Sequence, residues 1–510
     1  MSHSPSPIPA TTLPPSNRRR WTALAVLGLA VLLLAIDGTV LSLAVPALTA
    51  ALAPTAEQVL WIADIYSLAL AGLLVLMGNL ADRFGRKRVL LIGSAAFGLA
   101  SVLAAFATSP EQLIAARLLL GAAGATLMPS TLSLIRNMFP DAGERTRAIA
   151  IWSMAFGAGS AIGPLVGGFL LEHFWWGSVF LINVPVMLVV LVTGILLLPE
   201  SRDPEPGRFD VPSAALSMVA VVPIVYAITH VAGSGITPSI AACVIVGLAG
   251  GILFVRRQRR LANPMIDVDL FRRPTFSGAV ATNVIAIFAL SGLMFFFSQY
   301  LQFARGFSPL QAGLAELPST LASVVVVALV GFLLGRLGRG RAIALGMALV
   351  TVGLGLIALA EGADSYLWLA LCLALIGFGV GLATTLTGDA IISAAPPDKA
   401  GSVSAITETA QELGVVLGIA ALGSFLTGRY RAGIAGAIPA DLAPEIEARV
   451  RDSLGSALSV LDAGSPLAEA SRHAFVSAMQ TTSLVAAGLT LIAAMLAWRL
   501  IPSSRGTEGR

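Results

Sequence analysis

Ionisable side chains occur inside long apolar stretches of this chain. They are Asp37, Asp64, Arg117, Glu316, Glu408 and Glu412. Keeping a charge inside a lipid bilayer costs several kcal/mol, so an ionisable residue there is a functional candidate by default. A carboxylate in such a place can take up and release a proton, or bind a positively charged ligand.

Each of these residues also has a structural interpretation. Asp37 can form a hydrogen bond to a neighbouring helix, and Asp64 can be an acid at the membrane interface. Glu408 and Glu412 are one helical turn apart on one face. Two acids so placed do not readily ionise together, which suits proton uptake near neutral pH, although a structural pairing stays open. Arg117 is expected to pair with an acid or with backbone carbonyls.

The composition predicts that these residues are surrounded by lipid and by other apolar helices. The chain has 510 residues, of which 56% are hydrophobic and 12% are charged, and its mean hydropathy is +0.86. Soluble proteins contain about 25% charged residues. Apolar windows of about 20 residues recur along the chain and predict about fourteen membrane-spanning helices. The net charge of +4 is therefore not interpreted as a nucleic-acid-binding surface.

Enzyme active sites and metal sites are not indicated. Neither Lys87 nor Lys399 follows a glycine, so there is no Walker A sequence for ATP hydrolysis. The four histidines form no cluster. Cys243 and Cys372 both fall in apolar spans and are interpreted as small buried side chains. We expect a protein that is not an enzyme and that has no cofactor and no metal.

Basic residues concentrate in alternate turns between the apolar stretches. The turn 78–88 is the most basic short turn, whereas the short turns on the opposite side contain only Arg305. By the positive-inside rule both termini should face the cytoplasm. Residues 1–17 are rich in Pro, Ser and Thr and are expected to form a disordered cytoplasmic tail. The first apolar run is too long for a cleaved signal, so we expect a multi-pass protein of a bacterial-type plasma membrane.

The turn 78–88 also has a characteristic residue pattern. Its signature positions include Gly78, Asp82, Arg83, Gly85 and Arg86. Segment 331–341 aligns with it without gaps, and six of the eleven positions are identical, but Gly335 replaces Asp82. An acid near a helix N-terminus can stabilise one conformation, so we expect this conformational device only in the N-terminal half. The turn resembles the loop signature of the major facilitator superfamily.

A second pattern lies in the fifth apolar span. Its residues are Gly159, Gly163, Pro164, Gly167 and Gly168. Glycines at this density allow close helix packing, which is the structural alternative. The complete pattern resembles the fifth-span motif of drug:proton antiporters within the superfamily. The first-span segment 34–46 resembles that of the fourteen-span antiporters, and the chain as a whole resembles QacA-type pumps for quaternary ammonium compounds and dyes. It departs from them at Leu41-Ser42-Leu43, where Asn-Val-Ala is usual.

This resemblance implies an all-α major facilitator fold with two six-helix bundles and an inserted helical hairpin. We expect the N-terminal bundle at 18–200 and the C-terminal bundle at 274–502, which includes an outer loop at 428–476. Residues 201–273 should form a linker with two extra membrane helices, and residues 503–510 a cytoplasmic tail. Short amphipathic helices are expected in the outer loop, with a structural capping role favoured over a direct role in transport.

The resemblance also implies proton-coupled export of lipophilic, cationic drugs, and a protein that acts as a monomer. Its partners would be a small-molecule drug, protons and the lipid bilayer, but not nucleic acid. The candidate proton-coupling or substrate residues are the six ionisable residues named above. Export of a neutral or anionic natural product or an amino acid is the alternative on the same fold, and a passive channel or receptor is a third possibility. For Glu316, a position in the substrate cavity and a position in a water-filled outer vestibule both stay open.

Overall fold

The computed structural model describes residues 17–202, 210–235, 237–261, 264, 266–362, 365–393, 400–462 and 464–503. The expected disordered tail, apart from Asn17, and the expected C-terminal tail, apart from Ser503, lie outside the described residues, as does Lys399. Within the described ranges, 14 helices are long and apolar enough to cross a membrane. The expected number of spans is therefore confirmed.

The first six spans form one bundle. Their helices are α1 (Asn17–Leu52), α2 (Ala56–Phe84), α3 (Arg86–Ala105), α4 (Pro110–Met138), α5 (Ala142–His173), and the short α6 (Ser178–Leu181) followed by α7 (Asn183–Leu197). Side-chain caps fix where several of them begin. Thr55 and Gln58 form a capping box at the start of α2, and Ser109 caps α4.

Two further helices follow this bundle and pack against each other. They are α8 (Val211–Ser234) and α9 (Pro238–Gln258). Asp210 caps α8 by accepting a hydrogen bond from the Ser213 backbone N–H, and its carboxylate lies 2.7 Å from Arg257 of α9. The hairpin packs against α2 of the first bundle and α15 of the second. It is the inserted hairpin expected from the sequence.

The last six spans form a second bundle. Its helices are α10 (Pro274–Gln299), α11 (Pro309–Ala315), α12 (Leu317–Leu337), α13 (Arg339–Ala360), α14 (Tyr366–Ser393), α15 (Ala400–Ile434), α16 (Pro444–Asp452), α17 (Leu454–Leu458) and α18 (Pro466–Leu500). A 3-10 turn, Val268–Arg272, precedes α10, and a π-helical turn, Tyr300–Ala304, follows it. Helices α11 and α12 share one span, which is interrupted at Glu316.

The molecule as a whole has two ends that differ in their charged residues. We call the end that contains turn 78–88, Asn17 and Leu500 the basic end, and the end that contains α16 and α17 the loop end. At the loop end, the bounds that we expected for the outer loop need correction, because α15 continues to Ile434 and α18 begins at Pro466. Both helices extend past the expected loop bounds, so the segment between them is 435–465 rather than 428–476. Two short helices, α16 and α17, lie in it as expected.

The loop segment contacts both bundles. The Asp452 carboxylate accepts a hydrogen bond from the Ala56 backbone N–H at 2.8 Å and also pairs with Arg431. A Cβ on Gly455 would lie 3.0 Å from both Thr49 and Phe303, so this part of α17 packs tightly between α1 and the π-helical turn. The loop segment is therefore tied to the first bundle and to the second by side-chain and backbone contacts.

Candidate functional site: a central cavity between the bundles

A cavity of about 410 Å³ lies between the two bundles. Its walls come from α1, α2, α4 and α5 on one side and from α10, α12, α14 and α15 on the other, together with the break between α11 and α12. The charged side chains in its lining are Arg117, Glu316 and Glu412. Aromatic lining residues are Tyr66, Phe156 and Phe295. A cavity of this kind has a mainly apolar surface and a few charged groups, as small-molecule sites do.

Asp37 does not line this cavity but lies directly behind Arg117. The Asp37 side chain is fully buried, and its Oδ2 accepts a hydrogen bond from Arg117 Nη1 at 3.1 Å. Its Oδ1 accepts a second hydrogen bond from Asn183 Nδ2 at 2.8 Å. Asn183 in turn donates to the Ser101 hydroxyl at 3.1 Å. The carboxylate therefore has two fixed donors in an otherwise apolar interior.

Arg117 links this buried acid to the cavity. Its Nε donates to the Ile62 carbonyl oxygen at 3.1 Å, and its guanidinium lies 4.3 Å from the centre of the Tyr66 ring. We expected an acid or backbone carbonyls as its partner, and the structure shows both. The cation–π contact with Tyr66 adds to them. A change in the charge of Asp37 would therefore change the electrostatic potential at the cavity wall.

Asp64 is also fully buried, but its surroundings differ. Neither carboxylate oxygen has a hydrogen-bond partner among the described residues, and the side chain is not part of the cavity lining. It lies about 12 Å along α2 from Ala56, at roughly 1.5 Å per residue. The Asp64 side chain is therefore enclosed by protein and not exposed at the molecular surface.

Glu412 and Glu408 lie on successive turns of α15. Glu412 reaches the cavity, which Ser67 of α2 also lines. Glu408 lies one turn closer to the basic end on the same helix. The structure thus brings one acid of the second bundle to the cavity, with the other acid one helical turn away.

Glu316 lies at the break between α11 and α12, and its side chain faces the cavity. Only 9% of the residue is exposed, and its Oε1 has no hydrogen-bond partner among the described residues. The following Pro318 cannot donate a backbone hydrogen bond, which keeps the local backbone open. Of the two positions considered for Glu316, this placement is the one in the cavity.

The basic turn 78–88 is held by a dense set of contacts at the basic end. Asp82 accepts a hydrogen bond from Arg86 Nε at 2.9 Å, and Arg83 lies over the Phe84 ring. Gly85 has a φ of +110°, a conformation that favours glycine, and a Cβ there would lie 2.7 Å from the Glu200 carboxylate. Lys87 Nζ donates to backbone carbonyls at the end of α7. Gly78 packs closely against Pro129 of α4.

The corresponding turn of the second bundle has an ion pair as well. Arg339, which aligns with Arg86, lies 2.8 Å from the Asp389 carboxylate of α14. We expected such a device only in the N-terminal half because Gly335 replaces Asp82, and the structure shows an ion pair at the corresponding place in the second bundle as well. The acid comes from another helix, so a comparison of the two turns alone could not find it.

The fifth-span motif mediates two different close contacts. A Cβ on Gly159, Gly163 or Gly167 would lie 2.0–2.3 Å from atoms of α1, so this row of glycines packs directly on the helix that contains Asp37. A Cβ on Gly168 would lie 2.8 Å from the Pro309 carbonyl oxygen, and a Cβ on Gly313 would lie 2.3 Å from that of Pro164. These last contacts join α5 of the first bundle to α11 of the second near the loop end.

Sequence reasoning missed several polar residues that complete this interior. Asn183 was overlooked because a single amide in an apolar span is not distinctive, although a buried amide must find partners. Glu361 is 2% exposed and accepts a hydrogen bond from Ser483 at 3.1 Å. Tyr300 donates to the Glu361 carbonyl oxygen, and Arg305 donates to the Tyr300 hydroxyl. The isolated position of Arg305 among the short loop-end turns was the available signal.

Across the described ranges, no group of three or more His, Cys, Asp or Glu side chains is arranged to hold a metal ion.

Two named bacterial proteins are similar in sequence to this chain over nearly its whole length. Over 95% of its length the chain is 46% identical to the multidrug efflux pump LfrA of Mycolicibacterium smegmatis, 97% of which is covered. It is 36% identical to the methyl viologen resistance protein SmvA of Salmonella typhimurium, over 94% of this chain and 98% of that protein. The similarity extends through both bundles and the inserted hairpin.

Solved structures show the same fold. A bacterial homologue of the human lysosomal transporter Spinster, in an inward-facing and unoccupied conformation, superposes with a TM-score of 0.63. The match covers 96% of this chain and 99% of that one at 19% sequence identity, so it concerns the fold alone. The family model described as Major Facilitator Superfamily matches residues 27–419. The chain is a multi-pass membrane transporter, not an enzyme, and belongs to the Major Facilitator Superfamily.

Proposed function

We propose that the protein is a proton-coupled antiporter that exports lipophilic, cationic drugs. The observation that supports this most is the central cavity, which is lined by Arg117 of the first bundle, by Glu316 and Glu412 of the second, and by aromatic rings. Relatives named as a multidrug efflux pump and a methyl viologen resistance protein support export of foreign compounds. Methyl viologen is a flat dication, which is the chemistry that acids and aromatic rings recognise.

Drug binding rests on the two cavity acids. Glu316 and Glu412 face the cavity from different helices, so a cation between them would have an acid on more than one side. Tyr66, Phe156 and Phe295 would contact its apolar body. The positive charge of Arg117 would repel a bound cation unless Arg117 remains paired with the carboxylate of Asp37. The balance of these charges in the cavity therefore sets when a cation can bind.

Proton coupling rests on the acids behind and beside the cavity. Protonation of Asp37 would remove the counter-charge of Arg117, and the freed guanidinium would raise the positive potential next to the drug. Protonation of Glu412 or Glu408 would weaken cation binding directly. Asp64, buried without a hydrogen-bonding partner, is a further proton-carrying candidate. One proton per monovalent cation would be electroneutral, and each additional charge would contribute about 2.3 kcal/mol per 100 mV.

Orientation and motion follow from the charge distribution. The basic end faces the cytoplasm by the positive-inside rule, so both termini are cytoplasmic and the protein resides in a bacterial plasma membrane. The bundles 18–200 and 274–502 rock against each other around the cavity, while the hairpin in 201–273 stays beside them. The basic turns control this motion, and Gly168 of the fifth span takes part in the contact at the loop end. The monomer is the working unit.

The decisive experiment is uptake of a cationic dye into inverted membrane vesicles. An imposed pH gradient should drive dye accumulation, and collapse of the gradient should release it. Glu412→Gln should lower accumulation strongly at equal protein level, whereas Glu445→Gln, which neutralises an exposed acid of α16, should not. A wild-type protein that accumulates no cation under a pH gradient would contradict the proposal.

The acid pair of α15 gives a second measurement. Glu408→Gln or Glu412→Gln should shift the pH optimum of dye export, and the double change should allow dye movement without proton movement. An unchanged pH profile in both single variants would show that these acids are structural. Accumulation of a neutral or anionic compound but no cation would favour the alternative cargo, and movement that no gradient can concentrate would indicate a passive channel.

A further inference from the structure

A second large cavity lies outside the central one, at the side of the molecule. It is a crevice of about 520 Å³ between the inserted hairpin and α15. Its walls are apolar and include Ile228, Val244 and Phe425. All three lie in the halves of their helices nearer the loop end. The volume is within the range of roughly 300–1,000 Å³ that small-molecule sites occupy.

The crevice faces the hydrocarbon of the bilayer rather than the protein interior. Val231 is 41% exposed and Phe425 is 36% exposed at its edges, although both lie in membrane-spanning helices. A ligand would therefore reach it sideways, from the lipid. This distinguishes it from the central cavity, which is enclosed by both bundles.

Two polar groups interrupt the apolar walls. Arg429 lines the crevice nearest the loop end, is exposed, and has no ion-pair partner among the described residues. Ser424 lines the crevice deeper in the membrane, and only 6% of it is exposed. Its hydroxyl has no hydrogen-bond partner among the described residues. A buried hydroxyl left without a partner costs about 1–3 kcal/mol, and a hydrogen bond to a ligand in the crevice would offset that cost.

These two groups are arranged in the order of the polar groups of a lipid. Arg429 and Ser424 are five residues apart on α15, or about 7.5 Å along the helix axis. A guanidinium at the membrane surface binds phosphate well, and a hydroxyl just below it can donate to an ester carbonyl. The apolar walls continue below the hydroxyl, where an acyl chain would lie.

We propose that this crevice binds one phospholipid from the leaflet at the loop end. Its phosphate contacts Arg429, an ester oxygen accepts the Ser424 hydrogen bond, and an acyl chain lies between the hairpin and α15. The positive charge of Arg429 disfavours a lipophilic cation at this place. The lipid fills a gap between the inserted hairpin and the second bundle, and so helps to hold the two together. This inference does not depend on the proposed export function.

Native mass spectrometry of the full-length protein in detergent tests the site. The protein is mixed with phosphatidylglycerol, and the lipids that it retains are counted at increasing collision energy. Arg429→Gln removes the charge, and Ser424→Leu replaces the hydroxyl with a bulkier apolar group. Arg449→Gln is the matched control, because it removes an exposed charge from α16 at the same end.

The wild-type protein and the Arg449→Gln control should retain one lipid more strongly than either crevice variant. Phosphatidylglycerol should also raise the thermal unfolding temperature of the wild type and the control, but raise it less in the crevice variants. Equal retention and equal thermal shifts in all four proteins would overturn the proposal. Displacement of the retained lipid by a cationic dye would also overturn it, because the crevice would then be a substrate site.

Discussion

At the scale of single residues, the buried pair of Asp37 and Arg117 shows how one charge depends on another. Both side chains are almost completely buried, and they lie 3.1 Å apart. Removing one partner from a buried pair typically costs about 3–5 kcal/mol, because the other charge is left uncompensated. The same pair connects the buried carboxylate of Asp37 to the cavity wall, which Arg117 lines.

We predict that Asp37→Asn abolishes export of cationic substrates and also lowers thermal stability, since Arg117 then keeps an uncompensated charge. The double variant Asp37→Asn/Arg117→Gln should recover most of the stability, because both groups are neutral, but not the transport. Thermal unfolding in detergent and dye export in vesicles measure the two effects separately. Normal drug-resistance growth of the single variant at wild-type expression would show that Asp37 has no role in coupling.

The position of Glu316 predicts a selective effect on substrates. Glu316→Gln should reduce export of a divalent biguanide or diamidine by about ten-fold or more, because one charge-assisted contact of roughly 1.5–3 kcal/mol is lost. A monovalent dye can still use Glu412 and should be exported at a similar rate. Glu445→Gln is the control, and equal export of both substrates by the Glu316 variant would place this acid outside the drug site.

At the scale of structural elements, the two basic turns each have an ion pair at the basic end. Asp82 pairs with Arg86 within one turn, and Asp389 pairs with Arg339 across two helices. Both pairs are partly exposed, so each contributes only about 0.2–1 kcal/mol. Contributions of that size alter the rate of a conformational change more than they alter the fold.

We predict that Asp82→Asn and Asp389→Asn each slow turnover by about two- to five-fold while substrate affinity is unchanged. The reason is that both pairs lie at the basic end, away from the cavity. Export rates across a range of dye concentrations separate the two parameters. Glu469→Gln breaks a comparable exposed pair with Arg472 at the loop end and should have no effect. A large loss of dye affinity at unchanged maximal rate would contradict this role.

The joint at the base of the inserted hairpin predicts a pH dependence of stability. Partial burial raises the pKa of Asp210, but hydrogen bonds from Ser213 and Arg257 and the charge of Arg257 outweigh it, so the pKa is lower than usual. Stability from a lowered carboxyl pKa is present above the unfolded-state value and is lost as pH falls through the folded-state value. The loss should therefore occur below about pH 4.

Asp210→Asn should remove this acid-dependent part and lower stability at neutral pH by about 1 kcal/mol. Asparagine still caps a helix, so Asp210→Ala should cost about 1 kcal/mol more. Thermal unfolding of the three proteins between pH 3 and 7 measures both differences. If the Asp210→Asn variant and the wild-type protein lose stability in parallel on acidification, the joint does not contribute to the pH dependence of stability.

At the scale of the whole molecule, α5 and α11 join the two bundles near the loop end. Gly313 permits this contact, because a Cβ there would lie 2.3 Å from the Pro164 carbonyl oxygen. Alternation between two states requires that this contact break and form again. A substitution at a residue that lets two helices come close in only one state can shift the equilibrium between the two states.

We predict that Gly313→Ala favours opening at the loop end. In a background without Cys243 and Cys372, a cavity cysteine placed by Ser42→Cys should then react faster with an impermeant thiol reagent added from that side. The increase should be about five-fold or more, since overpacking costs about 1–3 kcal/mol. Gly355→Ala is the control, because no atom lies within 4 Å of its added Cβ. An unchanged labelling rate would mean that this contact does not control the opening.

The sequence by itself determined the class of molecule, the span count and the identity of the principal ionisable residues. It did so because a bilayer imposes span length, alternating basic turns and a high cost on every buried charge. The pattern of turn 78–88 and the glycines from Gly159 to Gly168 added the family. These signals are local, so they survive without any knowledge of tertiary contacts.

Only the tertiary structure decided which faces of the helices meet. A membrane helix is apolar toward lipid and toward its neighbours, so the period of its apolar residues does not show which side faces inward. For that reason the sequence could not place Asp37 behind Arg117 instead of in the cavity, or pair Asp37 with Asn183. It could not supply Asp389 for Arg339 either, because contacts between distant helices depend on the rotation and tilt that close packing imposes.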